Sequence, residues 1–467
     1  MGIPGQTVTF SATASNSPTD WDWDFGTGAS PQTSIDVEPE VQLQDIGTYT
    51  GAVKATNSDG PGPTFEFPYQ VTAPVFPVWD RIELGDAPYV GVIGRRVAVV
   101  VADGRLAIAY TTNEGVHLAR ATVEFPTSPS DFTDHLIAAN SIILGTGALM
   151  VHSGRLALLY AGNTSSPDPL IPQFAISDDL DPSSSGDWTN YELEANAPVP
   201  TGTLFSEGDD LFLCYYSEDE STVPATIGMK FGVATATIPT SISDWDFHYL
   251  PDWPDTPFEA SIHEGRAIRK VGDNYYVLVG GTQPTGLGAA WYFVLKATTW
   301  PPTADTDWEF VGKLGGGERE VSDASLLDIA GHLGVISNGT GTGPTSLIGT
   351  IWLGVANDVE VTAETTWRVS RLTTSSRYFF GGSAVQVLDR LVVPLQDREA
   401  NDLALTRPFL MDPVAVSADA SWSLNVVDPN GETGEMPCPA ILGDRIAIAY
   451  FSSSSNKLMV AIAQTVY

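Results

Sequence analysis

The sequence predicts an all-β protein in two parts, an N-terminal β-sandwich and a seven-bladed, four-stranded β-propeller closed by the propeller's own first strand. Three observations predict it. A strand opening on an aromatic residue recurs at Trp79, Phe132, Trp188, Trp245, Trp308, Trp367 and Trp422, at spacings of 53 to 63 residues. A second unit, a turn followed by an apolar strand, is interleaved with the first: GRLAIAY (104–110), GRLALLY (154–160), DLFLCYY (210–216), NYYVLVG (274–280), HLGVISN (332–338), RLVVPLQ (390–396) and DRIAIAY (444–450). Glycine (44) and proline (33) abound while only 17% of residues are charged, a mix that suits short strands and tight turns.

At 467 residues the chain is too long for one core. Residues 1–73 precede the repeat. Alternation in Thr7–Phe10 and Tyr49–Ala55 points one face inward, and Trp23 and Phe25 follow the same rule. The segments QTVTFSA, Trp21-Asp22-Trp23-Asp24-Phe25-Gly26 and GTYTGAVKATNSDGPG, with Gly47, Thr48, Tyr49 and Asn57, resemble a PKD domain. That resemblance implies an immunoglobulin-like sandwich, a module that usually spaces or adheres. Residues 74–77 lie in a proline-containing stretch that reads as a short stiff linker, and 78–467 make the propeller.

Each repeat reads as an apolar inner strand, a turn and second strand, a third strand, and the aromatic outer strand. Such a unit cannot bury both faces alone, so its copies stack radially. The repeat begins on an outer-type strand, Trp79–Leu84, and the sequence finishes on LMVAIAQTVY. The first strand is therefore expected to complete the last blade and remove a bare sheet edge. Over 78–467 the pattern of a Trp strand before an x-G-x-x-A-I-A-Y hairpin is similar to bacterial and phage propellers of unassigned role. That resemblance implies architecture and no chemistry.

Acidic residues outnumber basic ones 57 to 22, for a formal charge of −35. Such a surface repels phosphates and anionic lipid, which argues against nucleic acid, and no apolar run is long enough for membrane insertion. Cys214 and Cys438 sit in apolar strands and read as buried thiols, with a disulfide left open. Met1-Gly2 runs straight into a strand pattern without a leader, which suits either a removed signal or a virion protein released by lysis.

In a propeller the outer-to-inner loops share the face where ligands bind. Three of these loops are chemically rich. The first offers Trp253, Glu259, His263, Glu264 and Arg266, the second Glu318, Arg319 and Glu320, the third Arg377, Tyr378, Phe379 and Phe380. Aromatics beside carboxylates and arginines suit a sugar, whose C–H face stacks and whose hydroxyls hydrogen-bond. The same residues could instead pack the loops and pair on the rim.

Catalytic patterns are sparse. Ser185–Trp188 and Ser241–Trp245 approach a sialidase Asp-box, Ser-x-Asp-x-Gly-x-x-Trp, but lack its glycine and its spacing. Glu259 and Glu320 are the pair a glycosidase would use, although 57 acidic residues make the test weak. The six histidines form no zinc spacing, and His152 and His332 read as turn or core residues. No cofactor is expected, although acidic loops at 177–181 and 217–220 could bind calcium. Two functions follow: a non-enzymatic virion, cell-surface or extracellular recognition protein, phage decoration, fibre or adhesin in type, with glycans or proteins as partners; and a secreted carbohydrate-active enzyme.

Overall fold

The computed structural model describes residues 7–45, 47–71, 78–86, 96–162, 171–194, 201–219, 226–251, 268–282, 289–318, 324–339, 350–371, 378–380, 383–387, 390–397, 402–407, 423–428, 433–452 and 455–464, in some places by backbone alone. They are strands and turns with a few single-turn 3-10 helices, and none of those helices is long and apolar enough to cross a membrane. They fall into two compact units, one within Met1–Phe76 and one within Pro77–Pro408 and Val416–Tyr467. The expected linker at 74–77 lies outside the described residues.

The first unit holds two sheets. One runs Thr7–Thr9, Glu40–Leu43, Ala29–Ser30; the other joins Thr33–Ser34, Asp20–Asp24 and Gly47–Asn57, with Gly60–Pro61 and Phe65–Val71 also on the long strand. Period-two alternation in Asp20–Asp24 exposes its three aspartates and buries Trp21 and Trp23. These rings meet Phe25, Val41 and Val53 in one core. The buried polar atoms are met locally: Trp23 Nε1 donates to the Asp36 carbonyl at 2.9 Å, and the Tyr69 hydroxyl to the Phe25 carbonyl at 2.6 Å.

The second unit is a run of antiparallel sheets in sequence order, compatible with a propeller. The first sheet orders Val97–Ala102, Arg105–Thr111, Gly115–Ala121 and Phe132–Ala139. The second has a split inner strand, Ser141–Ile143 and Leu149–His152, followed by Arg155–Gly162, Ile171–Ser177 and Trp188–Glu192. The third orders Gly202–Glu207, Asp210–Asp219, Thr226–Ala234 and Trp245–Tyr249, and the fourth Ile268–Val271, Asn274–Thr282, Ala289–Ala297 and Trp308–Glu318. The fifth orders Ala324–Ile329, His332–Gly339, Thr350–Ala356 and Trp367–Arg371. In the sixth, Tyr378–Phe380 and Val385–Val387 both pair Arg390–Asp397, which is followed by Asp402–Arg407 and Ser423–Asp428. The seventh orders Thr433–Leu442, Arg445–Ser452, Lys457–Ala463 and, from the start of the unit, Trp79–Asp86.

The expected pairing of the first strand with the last is thus present, with Trp79 opposite Ala463 and Ile82 opposite Val460. It runs two residues beyond the expected Leu84. Six of the seven aromatics open a strand, while Trp422 lies outside the described residues. The repeated hairpins before the second strands use Asp103-Gly104, Ser153-Gly154 and Ala330-Gly331, both residues of each pair at positive φ. That is the turn whose twist matches a two-residue hairpin, and the glycine relieves it of a Cβ clash.

Two further devices recur. Before the outer strands, Asp131, Asp187, Asp244 and Asp307 each sit in a 3-10 turn and accept backbone N–H groups from Thr127, Ser183, Thr240 and Thr303 at 2.7–2.9 Å. These bonds hold all four carboxyls below the usual carboxylate range. Two of the four are the residues that suggested an Asp-box, and here they brace a turn. Next, the aromatic opening one outer strand donates from its indole to the outer strand before it. Trp188 Nε1 reaches His135 Nε2 at 3.3 Å, Trp245 the Tyr191 hydroxyl at 2.8 Å, and Trp308 His248 Nε2 at 3.1 Å. Burial holds the His135 and His248 imidazoles below their ordinary value, so they stay neutral and accept.

His152 is buried with Nδ1 2.7 Å from Ser206 Oγ and Nε2 2.6 Å from the Thr237 carbonyl, and His332 Nδ1 lies 3.0 Å from the Ala356 carbonyl, so both are packing histidines. Cys214 and Cys438 are buried in different sheets, and no disulfide joins them.

Candidate functional site

Most residues expected at the ligand face, Trp253, Glu259, His263, Glu264, Arg266, Arg319, Glu320 and Arg377, lie outside the described residues. Glu318 and Tyr378 are described by backbone alone, at the end of the fourth sheet's outer strand and the start of the sixth sheet's inner strand. Two open places elsewhere lie among the described residues.

One is a cavity of about 400 Å³ walled by inner strands of six sheets: Val99–Val101, Leu149–Val151, Leu204–Ser206, Ile268 and Arg269, Val385, and Ala440 with Ile441. Most of the side chains on its walls are aliphatic, with Phe205, Ser206 and Arg269 among them. No carboxylate lines it, so the described part of this cavity lacks the acid pair that glycoside hydrolysis needs.

The other is a cleft of about 590 Å³ where the strand Trp79–Asp86 meets the first sheet. Leu84, Gly85 and Asp86 form one side, Tyr110, His117, Ala119, Phe132 and Asp134 the other, with Thr112, Asn113, Glu114 and Asn456 at turns. The sheet's register creates the cluster. Tyr110 stands opposite His117, and Asp134 opposite Ala119, so the three polar groups emerge on one face where the apolar packing of Ile108 and Ala119 ends.

Asp134 organises this cluster. Its Oδ2 accepts the Tyr110 hydroxyl and its Oδ1 lies 2.8 Å from His117 Nδ1. Tyr110 is buried, and burial together with the bond to Asp134 raises its hydroxyl far above the ordinary phenol value, so it remains a donor. In a neutral His117 the Asp134 contact places the proton on Nδ1. Nε2 is then an acceptor; it is shielded from solvent, has no hydrogen-bond partner, and faces Glu114 Oε2 at 3.8 Å. The Glu114 side chain is 72% exposed. Across the cleft, Asp86 is held by Lys457 Nζ at 2.6 Å, and Gly85 passes so close that a Cβ there would lie 3.1 Å from the Tyr110 hydroxyl.

The tyrosine belongs to the repeat, and its copies show what is particular here. Tyr160 donates to Asn190 Oδ1 at 3.1 Å, Tyr215 to Glu194 Oε2 at 3.1 Å, and Tyr450 to Asp428 Oδ2 at 2.7 Å. Where the acceptor is a carboxylate, the third and seventh sheets neutralise it internally: Lys230 Nζ lies 3.0 Å from Glu194, and Arg81 Nη1 2.8 Å from Asp428. In the first sheet the residue opposite the tyrosine is His117, where the third sheet has Lys230. The sequence reading passed over His117 because it judged histidines by metal spacing. The signal was the motif tyrosine with a histidine seven residues on, across a tight turn.

No cluster of three His, Cys, Asp or Glu side chains among the described residues is arranged to hold a metal. Within the acidic loop at 177–181, Asp181 is engaged by Arg105 and Arg120.

No family model and no curated protein matches the sequence. Solved structures resemble it faintly. A Dyadobacter fermentans protein of unknown function matches at 11% identity over 82% of this chain and 98% of its own, with a TM-score of 0.46. An α-L-arabinofuranosidase from Fusarium graminearum matches at 10% identity over 82% and 96%, with 0.38. Drosophila Semaphorin 1a, extracellular domains 1-2, matches at 8% identity over 77% and 83%, with 0.41. All three scores lie below 0.5, and the three differ in what they are, so they assign this chain no activity.

Proposed function

We propose that the protein is a carbohydrate-directed β-propeller: its sheets are seven blades of one ring closed by Trp79–Asp86, it carries a PKD-type sandwich at its N-terminus, and it binds a glycan in the seam cleft. Shared cores support the ring: the first, second and third sheets contribute to one, the third and fourth to another, and further cores join the fourth with the fifth, the sixth with the seventh, and the seventh with the first. The six inner strands around one cavity support it as well.

The observation that carries the binding role is the cleft lining. Hydrogen-bonding side chains of both kinds, including Asn113, Glu114, His117, Asp134 and Asn456, surround a surface that also offers Leu84, Ala119 and the Phe132 ring. Polar groups held at fixed positions beside an apolar wall suit a polyhydroxylated ring. Binding by a surface module agrees with virion, cell-surface or secreted settings alike.

The second reading, a carbohydrate-active enzyme, draws on Glu114 and Asp134. They approach opposite nitrogens of one imidazole, at 3.8 and 2.8 Å. Both carboxylates line the cleft, with the His117 ring between them. One experiment separates the readings: a glycan array on the full chain, with product release followed on the same panel. Binding lost in Asp134→Asn without turnover in the wild type supports recognition. Turnover abolished by Asp134→Asn and Glu114→Gln establishes the enzyme. A panel with no bound glycan refutes both.

A further inference from the structure

The cavity between the inner strands has no part in the carbohydrate reading, and its chemistry is different. At about 400 Å³ it falls near the lower end of the range of about 300–1,000 Å³ that small-molecule pockets span. Val101, Met150, Val151 and Phe205 on its lining are only partly buried, and Ile441 is 40% exposed, so apolar side chains from several sheets keep open surface at one space. Water gains little beside them, because a held water needs two to four polar partners, and an apolar guest that displaces poorly held water gains affinity.

Among the described lining residues Arg269 carries the only charge. A guanidinium has five donors in a planar fork that matches a carboxylate. The next residue, Lys270, pairs with Glu207, and no described acidic side chain lines the space, so an anion beside Arg269 meets no carboxylate on these walls. The chain's formal charge of −35 opposes an anion at long range, but at physiological salt that field is screened beyond about 8 Å.

We propose that this cavity is a second binding site, for an unbranched aliphatic chain ending in a carboxylate, with the chain along the aliphatic walls and the carboxylate against Arg269. A sugar is the wrong guest here, since its hydroxyls would face aliphatic side chains that cannot pair with them.

The test is titration calorimetry of the full chain at physiological salt with hexanoate, octanoate and decanoate, each below its micelle concentration, and with decanol. One molecule should bind per chain, about fourfold more tightly for each added methylene, the step that burying one such group supplies. Decanoate should bind about tenfold more tightly than decanol, the scale of one charge-assisted hydrogen bond. Arg269→Gln should bring decanoate down to decanol and leave decanol unchanged; the comparison of the two in the wild type stands whether or not that variant folds. Ile441→Asp sets a charge on the wall at a position already 40% exposed, and should weaken decanoate at least tenfold without lowering the thermal midpoint. Val123→Asp, at an apolar residue equally exposed but away from the cavity, should leave binding as it is. Absence of binding, affinity that does not rise with chain length, or a loss shared equally by Ile441→Asp and Val123→Asp overturns the proposal. Decanol bound as tightly as decanoate overturns the role given to Arg269. None of these results bears on glycan binding in the cleft beside Tyr110, which the array tests separately.

Discussion

Arg120 offers the most direct test of how neighbouring sheets are joined. Its side chain is 3% exposed and makes five hydrogen bonds. Nη2 donates to the Ala102 carbonyl at 2.9 Å, and Nη1 to the carbonyls of Arg105 and Leu106 at 2.8 and 3.1 Å, which ties up the first hairpin. Nε crosses to the second sheet's loop, reaching the Leu180 carbonyl and Asp181 Oδ1, both at 3.0 Å. Arg120→Leu removes every donor and leaves acceptors buried beneath the hairpin. Breaking a buried charged pair from one side costs about 3–5 kcal/mol. Asp181 is half exposed, so its share is screened and the lower end, about 3 kcal/mol, is the better figure. Arg120→Lys keeps the charge but loses the planar fork, and should recover no more than about half of that loss. The assay is equilibrium urea unfolding followed by tryptophan fluorescence, comparing midpoints at matched slopes. A loss under about 1 kcal/mol for Arg120→Leu, or full recovery by lysine, would refute the account, since exposed pairs alone deliver that little.

Other expectations follow from the recurring devices. The carboxyls of Asp131, Asp187, Asp244 and Asp307 titrate lower folded than unfolded, so their stabilisation is present above the ordinary carboxylate range and fades as pH falls through their lowered values. Replacing all four by Asn should lower the thermal midpoint at neutral pH and flatten its acid limb. Burial also lowers His135 and His248, so the unfolded chain binds their protons first and stability declines as pH drops below about 6.5. Charging either imidazole sets its new N–H against an indole N–H, and the paired His→Phe variant should show a shallower decline between pH 6.5 and the acid limb than the wild type. Gly115 has φ +147, and an added Cβ would lie 2.0 Å from the Ala138 carbonyl oxygen. Gly115→Ala should therefore cost about 3 kcal/mol or more, read by urea unfolding, because backbone on both sides must move.

Much of the strand plan was legible in the sequence because period-two burial leaves a mark on residue type. The apolar second strands and the aromatic that opens each outer strand were both visible, and the pairing of Trp79–Asp86 with Lys457–Ala463 followed from counting strands at the two ends. The Trp–His links were not visible. They depend on one side chain reaching a residue 53 or 60 positions earlier, a distance set by how sheets stack. The cleft cluster was hidden for a related reason: Tyr110, His117 and Asp134 come together only through register, and none belongs to a loop that looks chemically rich. Conversely, the rich loops drew attention by composition, and composition does not show whether side chains converge.

The strand Trp79–Asp86 waits for a partner that is made 371 to 384 residues later. At translation rates of about 5–20 residues per second, this first strand spends roughly 20 to 75 seconds outside the ribosome before Lys457–Ala463 exists to receive it. A nascent or shortened polypeptide therefore displays a free β-edge at each end of the unit, which proteases and chaperones can recognise.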